Sequence, residues 1–234
     1  VVNYIDDTTG KTLSTKDLNG KSDESSGYTT SDSITSYKAQ NYDLVSDDTK
    51  GVELVFDHDD KVDQVYHVHF AHHMTSISDT KTIYETIHYV YEDGKTASPD
   101  VAGMPVVFTR DGERDEVTNK EHWNDWKSEK DNFDAVNSPE ILGYTPDFAT
   151  IEKIKVGPKD LDVVRTVTYK ANPQKITVNY IDDTTGKTLS TKDLNGKSDE
   201  SSGYTTSDSI TSYKAQNYDL VSDDTKGVEL VFDH

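Results

Sequence analysis

Val2-Asn3-Tyr4-Ile5-Asp6-Asp7-Thr8-Thr9-Gly10-Lys11-Thr12-Leu13-Ser14-Thr15-Lys16-Asp17-Leu18-Asn19-Gly20 returns letter for letter as Val178 to Gly196, and the identity runs on until Val2–His58 has been matched by Val178–His234. The spacing is 176 residues. Identity of this length marks a duplicated coding segment, and the chain reads as a window on an array. Solenoids and propellers repeat every ~20–50 residues and share one continuous core, so a much longer period requires each unit to fold by itself, like beads on a string. Within the quoted stretch, Val2, Tyr4 and Asp6 alternate with Asn3 and Ile5. That period of two is the mark of a strand, and Gly10-Lys11-Thr12 follows as a polar hairpin tip.

A fainter echo lies inside one period. Ile87-His88-Tyr89-Val90-Tyr91-Glu92-Asp93-Gly94-Lys95-Thr96 resembles the opening strand and its Gly-Lys-Thr turn, and Val163 to Tyr169 parallels Val65 to Phe70. Each half opens with an alternating strand, turns at an acidic hairpin and closes with another alternating strand. The expected organisation is a first domain at 1–76, a second at 77–176, and at 177–234 a truncated copy of the first that lacks counterparts of Asp59 to Phe70 and so lacks the closing strand. Its sheet should leave an open, pairing-prone edge. Further strand faces are expected at Val52, Leu54 and Phe56, at Tyr66, Val68 and Phe70, and at Ile87, Tyr89 and Tyr91. Asp111-Gly112 is expected to turn a hairpin, because Gly reaches positive φ without penalty. Ser33 to Gln40 is the one expected helix, with Ile34 and Tyr37 on one face. The fold class is mainly β with minor α, an α+β arrangement of thin domains with small cores.

Composition narrows the function. The 234 residues carry 24 Lys and Arg against 44 Asp and Glu, a formal net charge of −20, and phosphate backbones and anionic lipid are poor partners for such a surface. Cysteine is absent, which removes disulfides, thiolate zinc sites and thiol nucleophiles. No apolar run approaches the ~20 residues that span a bilayer and no basic-then-apolar leader stands at the start, so any export signal or anchor is expected outside this segment.

The chemistry-bearing residues mostly favour plain readings. Gly10-Lys11-Thr12 lacks the earlier Gly of a phosphate-binding loop, since Ile occupies position 5. His58, His67, His69, His72 and His73 crowd one region, but only His67 and His69 share a strand face and no third or fourth ligand is identifiable. They are read as a solvated face, and no metal is expected. The acidic runs Asp6-Asp7, Asp47-Asp48 and Asp57-His58-Asp59-Asp60 lack the EF-hand pattern and are read as turn formers, leaving at most weak calcium binding and no expected cofactor. No catalytic residues emerge. Trp123, Trp126, Phe133, Tyr144 and Phe148 gather among Asn124, Asp125, Asp131 and Asn132. Flat apolar faces beside directional hydrogen-bonding groups suit sugar or protein recognition, and Trp123, Trp126 and Tyr144 are the candidate ligand-binding residues. The competing reading places at least one Trp in a core poor in Leu and Ile.

The ordered set Ile87 to Lys95, Val107-Phe108-Thr109-Arg110, Trp123-Asn124-Asp125-Trp126, Ser138 to Asp147 and Val167-Thr168-Tyr169-Lys170 resembles the mucus-binding (Mub, MucBP-type) repeats of cell-surface adhesins from lactic acid bacteria. The resemblance implies an elongated tandem of small, ubiquitin-like β-grasp domains in a wall-anchored, extracellular protein. It also implies adhesion to host mucin glycoproteins and glycans and, for some repeats, binding of immunoglobulins, with no enzymatic machinery to carry over. Many linked weak sites would raise effective affinity. The rival is a structural stalk that projects another binding region from the cell wall; an enzyme ranks last.

Overall fold

Alternating strands separated by turn-rich segments build most of the computed structural model, which describes residues 1–59 and 61–234. Along the chain stand β1 (Val2–Asp6), β2 (Lys11–Lys16), α1 (Ser31–Lys38), β3 (Tyr42–Asp47), β4 (Tyr66–His72), β5 (Met74–Ile83), β6 (Glu85–Tyr91), β7 (Thr96–Ala102), β8 (Val106–Asp115) and β9 (Lys120–Trp123). Five short strands follow: β10 (Asn132–Phe133), β11 (Val136–Asn137), β12 (Tyr144–Pro146), β13 (Thr150–Ile151) and β14 (Ile154–Lys155). The chain continues through β15 (Val163–Ala171), β16 (Pro173–Asp182), β17 (Lys187–Lys197) and α2 (Ser207–Ala215). The fold is mainly β. Among the described residues no helix is long and apolar enough to cross a membrane. Two compact units form, one from residues 1–81 with 108–127 and the other from 82–107 with 128–234.

In the first unit the sheet order is β2-β1-β4-β3. β1 and β4 pair in parallel, Val2 with Tyr66 through Asp6 with Phe70, and antiparallel strands flank them on both sides. A parallel pair requires the chain to cross back over the sheet, and α1 lies on that crossover. The pleat sends Val2, Tyr4, Val68 and Phe70 inward, where they are essentially sealed, and Ile34 and Tyr37 of α1 pack on them with Leu13, Tyr28 and Tyr42. Few aliphatic residues are available, so Tyr4, Tyr37, Tyr42 and Phe70 supply much of the core volume as tilted and edge-on ring pairs, an arrangement suited to the ring quadrupole. A second sheet of this unit has the order β5-β8-β9.

The second unit repeats the pattern. Its sheet order is β12-β15-β6-β7, with β6 and β15 parallel from Glu85–Val163 to Tyr91–Tyr169. Ile87, Tyr89, Val167 and Tyr169 form its buried centre with Ile151. The opening and closing strands read from the sequence are therefore central neighbours in both halves.

Three local expectations are corrected. Asp111-Gly112 does not turn; it lies inside β8, and the turn is at 116–119, where Asn119 takes the positive φ of 56°. Gly112 serves close packing instead, because a Cβ there would stand 2.4 Å from the His122 carbonyl and 3.0 Å from the Trp123 ring. The Val52–Phe56 stretch is extended but is not a strand: its backbone bonds alternate with Tyr28 and Glu24, Leu54 is buried, and Val52 and Val55 face solvent. The helix begins two residues earlier than expected, at Ser31, and the duplicated copy supplies a second helix, α2.

The duplication provides an internal control. Residues 178–234 reproduce the hairpin with the same register shift, at Tyr180/Ile181 for Tyr4/Ile5, and the same positive-φ positions, Asn217 for Asn41 and Lys226 for Lys50. The Tyr180–Tyr204 hydroxyl pair likewise matches Tyr4–Tyr28. What is missing is the sheet. Among the described residues β16 pairs only with β17, and residues 218–223, identical to β3, form no strand and pair with none. Val178 and Tyr180 are half-exposed where Val2 and Tyr4 are 0% and 1% exposed.

Tyr4→Ala should therefore destabilise its copy by roughly 3–5 kcal/mol, the range for removing a fully buried ring, and Tyr180→Ala its own by less than half as much. Urea titrations followed at resolved amides of each copy provide the check; equal losses would contradict this account of the core.

Candidate functional site

β8 places Val106, Phe108, Arg110 and Gly112 on one face of its sheet. Arg110 occupies a position where the alternation calls for an apolar residue, and two indoles supply the apolar cover. Its guanidinium carbon lies 4.2 Å from the Trp123 ring centre and 4.5 Å from that of Trp126. Local chain geometry brings the rings together. Trp123 ends β9 directly across from Gly112, and the chain then bends back, with Asn124 N–H donating to the Asp111 carbonyl and Thr109 and Lys127 exchanging backbone hydrogen bonds. Trp126 falls in that return segment.

Polar groups fix the stack from the side. Arg110 donates from Nε and Nη2 to Asp79 Oδ2 at 3.2 and 2.8 Å, and Trp123 Nε1–H donates to Glu121 Oε2 at 3.0 Å. Arg114, 2.7 Å from the other oxygen of Glu121, holds that carboxyl below its usual range, helped by the indole N–H. Both indoles are half-buried, and neither is among the fully buried apolar residues. The result is a partly exposed aromatic pair whose cation is already neutralised by Asp79. It can offer stacking surface and hydrogen bonds, but no nucleophile and no acid–base pair.

Of the sequence candidates, Trp123 and Trp126 come together, while Tyr144 belongs to the other unit. Its ring packs on Tyr91 at 4.7 Å and its hydroxyl donates to Asp199 Oδ2 at 2.9 Å, with His234 Nδ1 3.0 Å from the second oxygen. Beside it, Gly143 meets His234 and Ser198 so closely that a Cβ would stand 2.3 Å from His234 Cβ. Tyr144 thus helps join the second-half sheet to the duplicated copy. Phe133 is buried and Phe148 exposed.

The histidines are organised by carboxylates. His58, His67, His69, His72, His73, His88 and His234 each lie within 4.0 Å of an Asp oxygen, so nitrogens that a metal would need already face acidic partners. Among the described residues no three His, Cys, Asp or Glu side chains form a metal-ligand group; Asp60, part of one acidic run, lies outside the described residues. His72 differs from the others. It shares the inward face of β4 with Val68 and Phe70, its side chain is 3% exposed, and both ring nitrogens meet carboxylates: Nε2 with Asp6 Oδ2 at 3.0 Å and Nδ1 with Asp115 Oδ2 at 2.6 Å. The Tyr42 ring closes the site edge-on. Counting by twos from Tyr66 would have placed His72 inside, and from Val2 would have placed Asp6 beside it.

Known proteins place the whole chain. The mucin binding domain family matches residues 1–72 and 174–234, and the Muc B2-like domain family matches 74–173. The crystal structure of Mub-RV is 38% identical, with a TM-score of 0.65, over 73% of this chain and 97% of that one. The type 2 repeat of the mucus binding protein MUB from Lactobacillus reuteri is 34% identical over the same shares, with a TM-score of 0.48. The mucin-binding domain of Spr1345 from Streptococcus pneumoniae is 31% identical over 42% of this chain and 97% of its own, with a TM-score of 0.38. No curated protein matches.

Two carboxylates facing both nitrogens require an imidazolium at His72. Burial opposes that charge, but the hydrogen bonds to Asp115 and Asp6 outweigh it and raise the pKa above 6.5. Burial also opposes ionisation of Asp115, and the bonds from His72, Thr118 and two backbone amides override it, down to about 2; Asp6 shifts below 3.8 in the same way. A raised His72 gives stability that is complete below 6.5 and lost as pH rises through its folded value. The depressed Asp pair gives stability present above 3.8 and lost as pH falls through theirs. The lock should hold best between about pH 4 and 6.5. Unit stability should fall as pH rises above 6.5, and His72→Asn should flatten that slope in thermal melts; an unchanged slope would reject the assignment.

Proposed function

The chain belongs to the mucus-binding repeat family, and from that premise we propose that it is a non-enzymatic adhesion module of an extracellular, repetitive surface protein that binds mucin glycoproteins and their glycans. The observation that carries this reading is the Trp123–Arg110–Trp126 stack, a rigid aromatic surface with amide and carboxylate groups at its margin. Sugar rings present an apolar face and a hydroxyl rim, and such a platform meets both at once. Because Asp79 already neutralises Arg110 and the chain carries −20, long-range attraction to anionic sialylated or sulfated mucin is not available. Contact then rests on stacking and short hydrogen bonds, weak at each site and multiplied by repetition along the array. Immunoglobulin is a second ligand class on the same reading.

We take the architecture as tandem β-grasp modules at 1–76, 77–176 and 177–234. The parallel central pair with antiparallel flanks in both four-stranded sheets supports this, and so does the helix on the crossover of the first. Wall attachment falls to regions outside this segment. The letter-for-letter duplication and the Gly143–Tyr144 contact with Ser198, Asp199 and His234 also favour a spacer role, in which the repeat projects another binding region.

Trp126→Ala should weaken binding of the chain to immobilised mucin by about tenfold or more, as loss of a hot-spot aromatic does. It should change stability by only about 1 kcal/mol, the scale of a partly exposed cation–π contact. Unchanged mucin binding would remove the platform from the interface. If the unsubstituted chain gave no signal with mucin or on a glycan array, and none in an immunoglobulin pull-down, the spacer reading would stand in its place.

A further inference from the structure

β6 turns Glu85, Ile87 and Tyr89 toward the interior of the second unit, and all three are 2% exposed or less. A carboxyl at the first of these positions breaks the apolar alternation, and its surroundings do little for a charge. It packs beside Gly103 and Phe133, where a Cβ on the glycine would stand 2.9 Å from Glu85 Oε2 and 3.0 Å from the ring. Two titratable groups face it, Arg165 from β15 and Tyr89 from its own strand. Arg165 supplies the cation, yet its Nε stands 3.5 Å from Glu85 Oε1, longer than a good hydrogen bond, and its Nη1 donates to the Glu152 carbonyl at 2.8 Å. Among the described residues, Glu85 Oε1 and Tyr89 Oη are the buried side-chain polar atoms that no hydrogen bond reaches.

An ionised carboxylate needs donors on both oxygens when it leaves water, and one loosely held guanidinium offsets only part of that loss. A neutral acid avoids most of the cost and gains an O–H of its own. We propose that Glu85 is a proton-binding site of the second unit: the folded sheet holds its carboxyl as a neutral acid, and the proton leaves when β6 and β15 separate. Burial, the larger influence, moves this group above 4.5, and Arg165 opposes the shift without cancelling it. The unfolded chain ionises near 4.5 while the folded one resists, so the stabilisation is complete below 4.5 and lost as pH rises through the folded value. The paired carboxylates Asp6 and Asp115 act the other way, since their contribution is lost as pH falls. Acid therefore tightens the second sheet across a range in which the His72 lock, whole below 6.5, stays constant.

Urea titrations of the full chain at about pH 4.5, 5.5 and 6.5, followed at resolved amides of β6 and β15, separate this proton from that of His72. The unfolding constant at these amides should rise with pH, by at most about tenfold per pH unit for one proton. Glu85→Gln should remove the rise while staying within about twofold of the unsubstituted chain at the most acid point, because the amide resembles the neutral acid. A buried ion pair predicts the reverse: no rise with pH, and a Glu85→Gln loss of about 100-fold or more near pH 6.5, where Arg165 would be left unmatched. That pattern would overturn the proposal. The carbon-13 carboxyl resonance of Glu85 in the unsubstituted chain keeps the test open should the variant fail to fold. A titration midpoint above 4.5 is expected, and one at or below 4.5 would overturn the assignment.

Discussion

Each four-stranded sheet depends on one long-range event: its closing strand pairs in parallel with its opening strand. In the first half β1 meets β4 across about 60 residues of sequence, and in the second β6 meets β15 across nearly 80. Two identical stretches of sequence separate local from non-local information. The hairpin, its bulge, the short helix, the left-handed turn residues and the tyrosine hydroxyl pair recur in both copies, so short-range chemistry specifies them. The flanking strand Tyr42–Asp47 does not recur, although its letters do. Strand formation there is a property of the pair, in line with the context dependence of strand propensity.

The charge pattern follows the same economy of means. With an excess of carboxylates and few cations, imidazoles become useful counter-charges, and nearly all of them sit against Asp side chains. Most such contacts are solvent-exposed and worth little individually. His72 is the exception because it is sealed, doubly accepted and placed where β1, β4 and the β8–β9 hairpin meet within one unit. Arg110 solves the opposite problem: a cation at an inward position, covered by indoles and matched by Asp79. Both are polar groups on the inward face of a strand, each matched by carboxylate. Both also leave a thin core intact while presenting an outer surface of acidic and hydroxyl groups.

Much of this was legible in the letters. Period-two alternation located the central strands of both halves, and the Gly-Lys-Thr turns located the hairpins. The misses share a cause. Asp111-Gly112 carries the letters of a turn, yet Gly112 is small so that Trp123 can lie against it, and only the cross-strand neighbour reveals that need. The cation between Trp123 and Trp126 was not foreseen, because no sequence rule pairs the two indoles with Arg110 from another strand. Tyr144 stands near the indoles in sequence but in the other unit of the fold, which proximity along the chain does not reveal. His72 was hidden by its neighbours: five histidines read as one solvated group until the alternation is followed to its inward end.

The central claim is that a strand delivered from far along the chain decides whether these residues form a sheet. Residue-resolved amide exchange on the unsubstituted chain compares Tyr42–Asp47 with Tyr218–Asp223, the same six letters in one sample. The structure predicts strong protection in the first set and exchange close to that of an open chain in the second. Matching protection in both would mean that the sequence folds this strand without its partner, and the account would be wrong.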